Sequence, residues 1–125
     1  MYQQATAMKL AHNAYGTNQI STAPQKKLLI MLYDGAIKFL GDAEEAIGKK
    51  DFPLAHKQLT RTQDILTELM ATLNFDQGGE IATSLWSLYD FLNQHLVEAN
   101  VDKDAAKVGT VRAMMVELRE VWNQI

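Results

Sequence analysis

Cysteine is absent from these 125 residues, so neither a disulfide framework nor a thiolate ligand or nucleophile is available. Proline occurs only at Pro24 and Pro53, which leaves long stretches free of the residue that removes a helical hydrogen bond and clashes with the preceding turn. Long hydrophobic runs are missing too. The longest, Leu28 to Leu32, falls far short of the roughly 20 residues that cross a bilayer, so no membrane insertion is expected. Met1 to Leu10 contain no apolar stretch followed by a small-residue cleavage site; no secretory signal is expected, and the expected location is cytoplasmic. An excess of positive charge is also lacking. Twelve Lys and Arg against fifteen Asp and Glu give a net charge of −3, and no basic stripe exists to neutralise phosphates, which argues against nucleic acid as a partner.

What is present reads as helix. Hydrophobic residues make up 47% and charged residues 22%, the composition of a globular domain rather than a disordered chain. Pro24 opens a helical segment running to about Gly48. Pro53, with Asp51 as a candidate cap, opens a second that runs to about Asn74, since proline is tolerated in a first turn whose N–H groups have no helical partner. Gly78-Gly79 predicts a break with positive φ, after which a third helix runs from about Glu80 to Asn100 and a fourth from about Lys103 to Ile125. No stretch alternates apolar and polar residues as a strand would. The expected architecture is all-α, an antiparallel four-helix bundle over residues 24–125 forming a single domain. Residues 1–23, rich in Gln, Asn, Thr and Ala, are expected to form an N-terminal arm or short helix packed against it.

The helices differ in how much apolar surface they carry. The second has one ordinary face, with Ala55, Leu59, Leu66 and Leu69, and so has the fourth, with Val108, Val111, Met115 and Trp122. On the first, Leu28, Leu32, Phe39, Ala43 and Ala46 form one stripe, and Leu29, Ile30, Tyr33, Ile37 and Leu40 carry it round to a sector of roughly 200° where about 100° suffices for a surface helix. The third is similarly broad: Ile81, Leu85, Leu88, Leu92 and Ala99 form its stripe, with Trp86 and Val97 to one side and Phe91 to the other. Surplus of this kind fits either a helix packed on several sides or a groove that accepts an amphipathic segment of another protein. Gly35, in mid-helix, marks a close approach, either to a neighbouring helix or to a partner.

Residues for catalysis are harder to find. His12, His56 and His95 stand apart, and none occurs in His-Glu-x-x-His or Glu-x-x-His spacing, so neither a zinc site nor a di-iron bundle is expected. There is no Gly-x-Ser-x-Gly elbow, and Gly78-Gly79 lacks the Gly-Lys-Ser/Thr of a phosphate loop. Glu44-Glu45, near Lys49 and Lys50, reads as a solvated face. The chain is expected to be no enzyme and to use no cofactor.

Several segments together resemble the flagellar secretion chaperone family (FliS). They are Asn13-Ala14-Tyr15, Met31-Leu32-Tyr33-Asp34-Gly35-Ala36-Ile37, Asp76-Gln77-Gly78-Gly79-Glu80-Ile81-Ala82, Leu88-Tyr89-Asp90-Phe91, Leu96-Val97-Glu98-Ala99-Asn100 and Leu118-Arg119-Glu120-Val121-Trp122. Each is weak alone; their order and spacing over Ala14 to Ile125 are specific. The resemblance implies an antiparallel four-helix bundle with an N-terminal segment against it. It also implies a chaperone that binds the C-terminal region of flagellin, prevents premature polymerisation and assists export through the flagellar type III apparatus. The flagellar export gate and other flagellar regulators are the further partners it suggests.

Two places depart from the family pattern: Ala23 stands where a capping serine is frequent, and Gln94 and His95 stand where basic residues are common. The residues expected to meet the partner are Leu28, Leu32, Tyr33, Ile37, Leu88, Leu92 and Val97 as groove lining, with Tyr15 and Ile20 as a lid. The competing expectation is a regulatory or structural bundle that dimerises through the same apolar surface.

Overall fold

The computed structural model of the protein describes residues 23–124, with side chains from residue 26 onward. Four helices follow one another: α1 (Ala23–Gly48), α2 (Phe52–Ala71), α3 (Phe75–Asp102) and α4 (Ala105–Asn123), with no strand among the described residues. The connections are short, so sequential helices run antiparallel as neighbours.

Side-chain caps set the helix starts. The Asp51 carboxylate accepts the backbone N–H of Leu54 at 3.3 Å, at the head of an α2 that carries Pro53 in its first turn. Asn74 Oδ1 accepts the N–H of Gln77 at 2.9 Å, and Asp104 Oδ1 accepts those of Ala106 and Lys107 at 3.0 and 3.3 Å. Helices α1 and α3 end on lysines with left-handed backbone, Lys50 at φ 60° and Lys103 at φ 53°, where glycine is more usual.

The junction between the second and third helices differs from the sequence reading: α2 ends at Ala71, and Asn74, expected as its last residue, caps α3 instead. Residues ahead of the glycine pair, expected as a loop, form a helical turn under the Asn74 cap, and the break falls inside the element. Gly79, at φ 48° and ψ −120°, separates that turn from the main body of α3. The positive φ inferred from Gly78-Gly79 is therefore present, at the second glycine only.

The helices form a ring in which α1 packs against α2 and α4, and α3 against the same two, more loosely. Polar contacts mark each seam. Gln58 Nε2 donates to Asp42 Oδ2 at 3.3 Å between α2 and α1, and the Arg61 guanidinium stands 5.5 Å from the Phe39 ring centroid. Between α4 and α1, Arg112 Nε donates to Glu44 Oε1 at 2.5 Å and Arg119 Nε to Asp34 Oδ1 at 2.6 Å. The hydrogen bond to Asp34 raises the Arg119 guanidinium further above its ordinary range, so the arginine stays charged. Glu44 thus belongs to an inter-helix pair, contrary to the solvated role expected of it, whereas Glu45 pairs with Lys49 on the exposed face as expected. The α2–α3 seam carries a 2.8 Å contact between His56 Nδ1 and Asn100 Nδ2, and the α3–α4 seam a Lys107–Glu98 pair at 3.4 Å.

The close approach at Gly35 is helix to helix: a Cβ there would sit 3.3 Å from Ile65 Cδ1 of α2. In the centre, Leu40, Leu59, Leu66, Leu69, Leu92, Leu96, Val108, Val111 and Met115 are fully enclosed. Tyr33 of α1 and Tyr89 of α3 meet across the diagonal, their hydroxyls hydrogen-bonded at 2.5 Å in a site without solvent exposure.

Candidate protein-binding surface

The structure divides the residues singled out from sequence. Leu28, 59% exposed, and Val97, 44% exposed, lie on the surface. Leu32, Ile37 and Leu88 are half-buried and packed against the core. Tyr33 and Leu92 are sealed inside it, so they can support a groove floor but offer no surface to a partner unless the bundle opens. Tyr15 and Ile20, with residues 1–22 of the expected arm, lie outside the described residues, as do Ser21 and Thr22, the alternative caps ahead of Ala23 at the first position of α1. Leu28, Leu32 and Ile37 stand on α1 while Leu88 and Val97 stand on α3, diagonally across the ring. One continuous groove does not contain both sets.

Exposed apolar side chains concentrate on α3. Phe75, Trp86, Phe91, Val97 and Val101 are all exposed there, against Leu28 and Met31 on α1, Phe52 and Leu54 at the start of α2 and Val116 on α4. A looser fit between α3 and its neighbours accounts for this, because an under-packed helix leaves its flanking positions uncovered while its central stripe is still buried.

The seams orient the two flanks. Asn100 touches His56, so the edge of α3 bearing Asn100 faces α2. Trp86 and Asn93 recur at intervals of seven on that same edge, with Val97 beside them; on α2, Gln63 and Met70 recur at seven from His56. Glu98 pairs with Lys107, which turns the opposite edge toward α4. Leu88, Phe91 and His95 lie on it, and half-buried Met114, Leu118 and Val121 lie on α4. The Phe91 and His95 rings stack there with centroids 5.8 Å apart, and His95 Nδ1 stands 3.9 Å from Glu98 Oε2. Exposed or half-buried apolar side chains thus stand on both edges of α3, and a shallow open depression lined by Phe75, Glu80, Thr83 and Ser84 adjoins the Gly79 kink.

Trp86 and Phe91 are visible in the sequence as side positions of a broad apolar helix, yet only position on the wheel distinguishes them from Leu92. Met114 and Val121 escape a reading of the sequence because α4 taken alone has an ordinary face; they gain significance from the seam they share with α3.

Polar chemistry at the centre is structural. Burial pushes the Tyr33 hydroxyl up to about 12, against the opposing pull of the Tyr89 hydroxyl and the nearby Trp122 indole, which favour the phenolate. The Trp122 N–H nevertheless closes no hydrogen bond of normal geometry. Among the described residues no group of three His, Cys, Asp or Glu side chains could hold a metal ion, and no helix is long and apolar enough to cross a membrane.

An antiparallel helical ring that leaves apolar side chains uncovered on both edges of one helix has the kind of surface on which amphipathic segments of other polypeptides can dock. The family model for flagellar protein FliS matches residues 7–125, and the chain belongs to that family, the flagellar secretion chaperones. The flagellar secretion chaperone FliS of Campylobacter jejuni is 34% identical over 116 residues, covering 93% of this chain and 91% of that protein. Its counterpart in Bacillus subtilis is 32% identical over 118 residues, covering 94% and 87%. That in Salmonella typhimurium is 33% identical over 107 residues, covering 85% and 79%.

Proposed function

We propose that this flagellar secretion chaperone binds the C-terminal region of flagellin in the cytoplasm, prevents its premature polymerisation and hands it to the flagellar export gate. The observation that carries this reading is the row of exposed apolar residues along α3, above all Trp86, Phe91 and Val97. An export client must remain incompletely folded without self-associating. Its amphipathic segment therefore needs a temporary apolar surface in place of the filament neighbours it will later meet, and the apolar side chains along the edges of α3 have that character. Leu28 and Met31 form a separate exposed apolar pair near the start of α1. Tyr15 and Ile20, in the proposed arm over residues 1–23 ahead of the single bundle domain, act as a lid competing with the client for this surface. Binding of this kind needs no metal, nucleotide or covalent step.

Calorimetric titration of the purified chain with a peptide spanning the C-terminal region of the flagellin made by the same cell tests the reading. A complex of roughly one-to-one stoichiometry is expected, with a negative heat-capacity change from apolar burial. Absence of binding overturns it.

A further inference from the structure

Asn93 stands on the α2-facing edge of α3, between exposed Trp86 and Val97. Its side chain is half-buried, yet its Oδ1 is closed off from solvent and has no hydrogen-bond partner. The residue seven positions on, Asn100, finds its partner across the same seam in His56 at 2.8 Å. Gln63, seven on from His56, stands at the matching position opposite Asn93, but no hydrogen bond reaches the Asn93 oxygen. A leucine here would fill similar space and carry no acceptor to satisfy, so packing alone gives no reason for an asparagine at this position.

We propose that Asn93 is a specificity-determining contact of the client surface, its amide oxygen accepting a hydrogen bond from the bound segment while Trp86 and Val97 take that segment's apolar side chains. The inference rests on the proposed function above. The χ2 torsion of asparagine is broad, so the amide turns at little cost to aim its oxygen out of the seam. The client supplies an amide, hydroxyl or guanidinium donor, or a free N–H at a helix end. A client lacking that donor leaves the oxygen unpaired in a site it has also dried, and discrimination follows because a stranded polar group in a complex weakens binding more than a missing methylene does.

Asn93→Leu and Asn93→Ala are compared with the wild-type chain by thermal melting and by calorimetric titration with the flagellin C-terminal peptide. For Asn93→Leu the expected result is an unchanged or higher Tm with affinity weakened about tenfold. Asn93→Ala, which adds no bulk, weakens affinity to a similar degree, so a steric effect of leucine is not the cause. Equal or tighter binding by both variants overturns the role of Asn93 and leaves the function standing. No binding by the wild-type chain overturns the function and this contact with it.

Discussion

Tyr33, a groove residue on the helical wheel, fills the centre of the bundle in the structure, hydroxyl to hydroxyl with Tyr89. A core position and a groove position look alike when the apolar sector is wide, and the residue that separates them lies 56 positions away in sequence. Burial of this tyrosine has a measurable consequence. The folded state holds the Tyr33 hydroxyl up to about 12 against an ordinary value of 10.0. Between those limits the unfolded chain has released a proton that the folded chain keeps, so stability falls as pH rises. The contribution is nearly fully present below about pH 10, and about 2 kcal/mol of it is lost by pH 12. Urea unfolding at pH 9 and pH 11.5 should show this alkaline loss in the wild-type chain and a smaller one in Tyr33→Phe; equal losses would contradict the assignment. Gly35 is more legible. Its position in mid-helix already implies a close approach, and the structure assigns that approach to Ile65 of α2 rather than to a partner.

Among the elements, all four helices are legible in the sequence, because apolar periodicity, the two prolines and the Asp51 cap act within a few residues of one another; the Asn74 and Asp104 caps emerge only in the structure. The start of α3 is not, since Asn74 caps a single turn ahead of the glycine break and so short a turn carries no periodicity of its own. Gly79 holds φ 48° and ψ −120°, and a Cβ added there would meet nothing within 4 Å. Space is therefore no obstacle to a side chain, but backbone conformation is. Gly79→Ala should lower stability by about 1–3 kcal/mol from strain alone, read as a lower urea midpoint with unchanged m-value. An unchanged midpoint would mean that the kink relaxes without cost. The surplus apolar surface anticipated on the first and third helices also resolves at this scale. On α1 most of it is consumed by tight packing against two neighbours, and on α3 it remains exposed. Sequence gives the width of an apolar sector; inter-helix spacing decides how much of it is covered.

For the whole molecule, family membership and the exposed edges of α3 lead to one central claim, that a client segment is held along that helix. A stable dimer through the same surface is the rival, and light scattering of the free chain should give the mass of a monomer. Trp86 tests the claim most directly, being 39% exposed and outside the core cluster, so Trp86→Ala should barely change Tm. Large aromatic side chains at the centre of an interface commonly contribute more than about 1 kcal/mol to binding. Titrated with the flagellin C-terminal peptide, Trp86→Ala is predicted to bind at least about tenfold more weakly than the wild-type chain while melting at nearly the same temperature. Equal affinity in the two would place the client elsewhere and contradict the account.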